Sequence, residues 1–109
     1  MRNSAANLPG LIGMPGQIEW AEQIRPRVDA EFDRVAQALK TAAGTRGEQI
    51  QTRTAAVIAI LEEKRAEVMA NDQAGYFIVE WQELTDQVRR LLGRDPRYQA
   101  IQLQKKEPK

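Results

Sequence analysis

Apolar side chains return every three or four residues through three long stretches of this sequence. A chain patterned in that way buries itself only as packed helices. Phe77, Trp81, Leu84, Val88 and Leu91 recur at spacings of 4, 3, 4 and 3. Ile18, Ala21, Ile24, Val28, Phe32, Val35 and Leu39 follow one another at 3, 3, 4, 4, 3 and 4. Ile50, Thr54, Val57, Ile58, Leu61, Arg65 and Val68 make the remaining stripe, with Met69 beside it. Arg65 interrupts that stripe with a charge, so either its stem snorkels or the stripe rotates there. Strands are not expected: β-branched residues never alternate with polar ones, and no Asn-Gly or Asp-Gly hairpin occurs.

The breaks between stripes set the element boundaries. Pro15 suits a first helical turn, because its missing N–H is an orphan donor there anyway. The helix it opens is expected to run to about Ala43, and Gly44-Thr45-Arg46-Gly47 then closes it. Pro26 lies inside and removes one backbone hydrogen bond, which predicts a kink or a break between Arg25 and Arg27. A second helix is predicted from Glu48 to Ala70 and a third from Gln73 to Leu92, with Gly93 as its stop. Asp95-Pro96 reads as an N-cap and first-turn pair opening a short helix to about Gln104. The expected fold is all-α: an antiparallel three-helix bundle over residues 15–93, an irregular lead segment over 1–14, and a short helix with a flexible basic tail over 94–109.

The chain has 109 residues, one domain's worth, and 42% of them are apolar. Fifteen of those are alanines, which bury little surface, so the core is expected to be thin and homo-oligomerisation unsurprising. There is no Cys and no His, which removes disulfides, thiol nucleophiles, Cys/His zinc sites and imidazole acid–base chemistry. A net charge of +1 sets up no global field toward nucleic acid or membrane. The uncharged stretch from Asn3 to Ile18 contains Pro9, Gly10, Gly13, Pro15 and Gly16, so no apolar signal or membrane-spanning helix is expected there. A cytoplasmic location is the resulting expectation.

The segment Leu8-Pro9-Gly10-Leu11-Ile12-Gly13-Met14-Pro15-Gly16-Gln17-Ile18-Glu19-Trp20-Ala21-Glu22-Gln23-Ile24-Arg25 resembles a signature, L-P-x-L-x-G-S-x-x-Q-I-x-W-A-E-x-I-R, of small uncharacterised bacterial proteins from plasmids, phages and other mobile elements. Those proteins tend to carry a second motif, A-x-W-W-I-D-x-R, before an apolar helix. Here Tyr76-Phe77-Ile78 stands where W-W-I would fall, and Val88 to Leu92 where that helix ends. The sequence departs from the pattern at Met14, where the family has a capping Ser, at Pro26, and at Trp81, where the family has Arg. The resemblance implies a small helical domain in a mobile-element context and brings no assigned activity.

Gly10, Gly13 and Gly16 precede a helix N-terminus, but no preceding strand and no Lys followed by Ser or Thr accompanies them, so they read as turn residues. The carboxylate pairs Glu19/Glu22, Asp29/Asp33 and Glu63/Glu67 lack the His that a di-metal bundle pattern needs, and they read as solvated faces. No catalytic, metal or cofactor residue is therefore assigned. Trp20 and Trp81, each flanked by acids, read first as core or core-edge residues and second as interface anchors. Residues 94–109 carry five positive and two negative charges. With Arg89 and Arg90 they form a basic end including Arg94, Arg97, Lys105 and Lys106, and only Tyr98 is at hand for base stacking. The expected function is a non-enzymatic interaction protein that docks onto a protein or nucleoprotein assembly through Trp20, Arg25, Arg89, Arg90, Arg94 and Arg97. Its alternative is weak, sequence-non-specific nucleic-acid binding by the basic end.

Overall fold

The computed structural model describes residues 9–106, and within them the chain is all-helical. The helices are α1 (Pro15–Ala43), α2 (Glu48–Met69), α3 (Ala74–Glu80), α4 (Leu84–Gly93) and α5 (Pro96–Lys106). The expected limits of the first two helices hold. α1 stops where the Gly44 N–H bonds back to the Lys40 carbonyl, 3.0 Å away. Gly47 precedes α2 with φ +124°, a backbone conformation that side chains with a Cβ rarely adopt, so glycine belongs there. Pro26 lies on the exposed side of α1 and does not break it, so of the two expectations at that position the break is excluded.

The third long helix is a correction. Its span divides into α3 and α4, and residues 81–83 between them leave helical geometry, with Trp81 at φ −113° and ψ 34°. No proline or glycine forces this. Trp81 is only 2% exposed and its ring centroid lies 5.9 Å from that of Phe32 on α1. The broken turn seats the indole in the core while both flanking helices still pack on α1. Acidic Asp86 in the first turn of α4 and basic Arg90 in its last turn complement the ends of a new helix.

α1 packs along α2, α3 and α4, and α5 closes the far side against α2 and α4. The core is one cluster that includes Val28, Phe32, Leu61, Phe77, Trp81 and Val88. The molecule measures 56 × 30 × 18 Å, and its 16.0 Å radius of gyration exceeds the about 13 Å usual for a chain of this size. The thin layer follows from helices that each carry a single apolar stripe.

Between residues 9 and 14 the lead segment is irregular yet anchored. Ile12 pairs with the α2–α3 link: its N–H donates to the Asp72 carbonyl at 2.6 Å and its carbonyl accepts from the Ala74 N–H at 2.9 Å. Arg25 Nη1 donates to the Pro9 carbonyl at 2.8 Å, and Leu11 is buried. Gly13 passes so close to α3 that a Cβ there would sit 3.1 Å from the Ala74 Cβ. Met14 cannot cap α1 as a Ser would; instead the Gln17 Oε1 accepts from the Met14 N–H at 3.1 Å. The lead segment thus packs against the start of α3; Leu8 lies outside the described residues.

Two charged clusters tie the helices together, and both differ from the sequence expectation. Asp29 and Asp33 are not simply a solvated face: both accept from Arg65 at 2.6 Å, Asp29 from Nε and Asp33 from Nη1. Arg65 faces into the α1–α2 seam at 14% exposure, with its guanidinium rather than its stem making the contact. Replacing Arg65 with alanine removes both of its charge-assisted hydrogen bonds from α2 to Asp29 and Asp33, which lie one turn apart on α1. The expected loss is about 1.5–3 kcal/mol, the range for hydrogen bonds to charged groups, read by chemical denaturation.

The second cluster joins α2 to the start of α5. Asp95 caps α5 as expected, its Oδ1 accepting from the Arg97 backbone N–H at 2.8 Å. Its carboxylate also meets Lys64 Nζ at 3.0 Å and Arg97 Nη2 at 2.9 Å, while Arg97 reaches Glu63 at 2.9 and 3.1 Å. Arg97 first, then Lys64, holds the Asp95 carboxyl far below the usual carboxylate range. A carboxyl lowered on folding contributes stability above its unfolded pKa and loses it as pH falls toward its folded one. Asp95→Asn is therefore expected to melt below wild type at neutral pH. The difference should shrink as the pH is lowered from about 5 into strong acid, in a thermal-melt series.

Candidate docking groove

α1 and the α3–α4 break form the walls of a groove of about 500 Å³. Trp20, Ile24 and Arg27 line it from α1; Ile78, Trp81, Gln82 and Leu84 line it from the other side. On α1 the spacings of 4 and 3 place Trp20, Ile24 and Arg27 on one flank of the helix, beside the buried row of Ala21 and Val28. The broken turn at residues 81–83 contributes Trp81 and Gln82 to the groove. Trp81 forms part of its floor. Its buried indole N–H has no partner within hydrogen-bonding geometry, and burial raises the pKa of the nearby Tyr76 hydroxyl against the opposing pull of Trp81.

The two tryptophans therefore have different environments. Trp81 is core, as first expected. Trp20 is 57% exposed, so the core reading fails for it. Ile12, Met14 and Val79 are further exposed apolar residues, on the lead segment, the α1 cap and α3.

The basic end is less free than its sequence implies. Arg97 is held by Asp95 and Glu63, and Arg90 Nη1 donates to the Gln87 Oε1 at 2.9 Å. Arg25 is spent on the Pro9 carbonyl. Arg89 and Arg94 are exposed and make no ion pair among the described residues. The side chains of Lys105 and Lys106 lie outside the described residues. Arg89 and Tyr98 border a second, smaller groove of about 270 Å³ between α1, α4 and α5, with Arg34 on its rim.

Arg27, Ile78 and Gln82 were not singled out in the sequence. Arg27 gives a weak signal, since it lies seven positions after Trp20, on the same helical face. Ile78 and Gln82 give none without knowledge of the broken turn. Glu31 was also missed: it is buried where a stripe residue would sit, and Arg34 Nη2 donates to it at 2.6 Å. That bond chiefly, aided by the Thr85 hydroxyl, lowers the Glu31 pKa against the opposing effect of burial. Glu63 and Asp95 shift downward too, the direction that ion pairing imposes rather than the one a proton donor needs. Among the described residues no group of three or more carboxylates gathers as a metal site, and no helix is long and apolar enough to cross a membrane.

No family model matches the chain, and no curated protein or solved structure is significantly similar to it.

Proposed function

We propose that this is a non-enzymatic helical interaction protein that docks onto a larger protein or nucleoprotein assembly in the bacterial cytoplasm, as a phage- or plasmid-borne inhibitor or accessory subunit does. The observation that carries the reading is Trp20, a large aromatic left 57% exposed beside an apolar groove. Exposed tryptophan is costly to keep in water and is enriched among interface hot spots. In this reading α1, α2 and the α3–α4 pair serve as three arms of an antiparallel bundle whose rigidity holds the groove open for its partner.

Affinity capture from a nuclease-treated bacterial lysate tests the reading. The expected result is a partner retained by the wild type and lost with Trp20→Ala. The second reading, nucleic-acid binding, draws on the exposed Arg89 and Arg94. Two to four phosphate contacts would give a salt slope between about −2 and −4 on duplex DNA. Tight DNA binding that survives physiological salt, abolished by reversing Arg89 and Arg94, would replace the docking reading.

A further inference from the structure

We propose that the Trp20 groove recognises a protein segment presenting one apolar side chain together with one carboxylate, the carboxylate pairing with Arg27. This rests on the docking reading and names the chemistry of its partner. Five of the groove's lining residues are apolar, Gln82 is neutral, and Arg27 is its one charge. Arg34, Arg65 and Arg97 each pair with a carboxylate of the chain itself. Arg27 makes no ion pair among the described residues, and no carboxylate lines the groove. A guanidinium beside an apolar cleft offers two parallel N–H donors, a fork that fits a carboxylate bidentately.

Phosphate would also fit such a fork, but the surroundings favour protein. A nucleic-acid backbone is held by several cations along its track, and here a single one stands beside an apolar floor. Exposed Glu19 precedes Trp20 on α1, and exposed Glu80 and Glu83 flank Trp81 and Gln82 in the chain. Those three acids disfavour a phosphate chain and favour a protein partner whose acid is aimed at Arg27 between neutral or basic flanks. Along α1 the seven residues from Trp20 to Arg27 span about 10 Å at 1.5 Å per residue. A helical partner therefore places its acid about seven residues, two turns, from its apolar anchor.

Random peptides displayed for selection against the full chain, and counter-selected against Trp20→Ala, provide the probe. Selected peptides are expected to carry an Asp or Glu at that distance from an apolar residue. Arg27→Glu is expected to weaken them about tenfold, as separating a close interfacial charge pair does. Changing the peptide's acid to Lys should restore binding to Arg27→Glu. Both replaced side chains are exposed, so thermal melts that superpose on wild type assign lost binding to the groove; Arg27→Gln repeats the test without adding a negative charge. Trp20-dependent peptides without an acid, or acidic ones indifferent to Arg27, overturn this proposal and leave the docking reading standing. If no selected peptide depends on Trp20, both fall.

Discussion

Replacing Phe32 with alanine is expected to cost about 3–5 kcal/mol of folding free energy, a large part of the about 5–15 kcal/mol that holds a domain together. Phe32 is fully buried, and its ring meets Trp81 at 5.9 Å with the planes tilted by 54°. Truncation removes a large apolar side chain and also the surface on which the broken turn rests, so the cavity cannot close by a simple shift of α4. Phe77, equally buried and edge-on to Tyr76 at 5.1 Å, is expected to fall in the same range. Leu84 follows the same sequence period but lies half-buried on the groove, and its alanine variant should lose less than about 2 kcal/mol. Urea denaturation separates these cases. Losses below about 1 kcal/mol at both phenylalanines would contradict the core described here.

Trp20→Ala carries the second large effect, and it should fall on binding rather than folding. Because the indole is more than half exposed, its removal is expected to move stability by no more than about 0.5 kcal/mol. Affinity for a docked partner should drop by at least about 2 kcal/mol, roughly thirtyfold, as for a central aromatic anchor. Loss of stability comparable to that of Phe32→Ala would instead return Trp20 to the core.

The parts of the fold legible in the sequence are those set by period and punctuation. α1 begins and ends where Pro15 and Gly44 place it, α2 begins after Gly47 and ends within a residue of the expected Ala70, and Asp95-Pro96 opens α5. The α3–α4 break escaped notice because the spacing from Phe77 to Leu91 is the same whether or not the helix pauses at Trp81. Only the acids at positions 83 and 86 hint at a helix start inside that run. Arg65 illustrates a different limit. A charge on an apolar stripe shows that something unusual happens there, but its partners Asp29 and Asp33 lie on another helix, and sequence alone cannot pair them. Glu31 is a similar case, a carboxylate buried because Arg34 neutralises it one turn later. For the groove, the sequence pointed to Trp20 but not to the residues opposite it, since those depend on where the broken turn places Ile78, Gln82 and Leu84. At the basic end, sequence alone does not show that Arg97 pairs with Glu63 of another helix and that Arg90 donates to Gln87, because those partners are set by the fold.

The most direct test of docking through the α1–α3/α4 face is a titration of the captured partner against three proteins: wild type, Trp20→Ala and the double reversal Arg89→Glu/Arg94→Glu. All three should melt alike. The expected result is a partner affinity lost at least about thirtyfold in Trp20→Ala and kept within about threefold in the double reversal, whose sites lie outside the Trp20 groove. Unchanged affinity in Trp20→Ala together with loss in the double reversal would contradict docking through this face and assign function to the basic end.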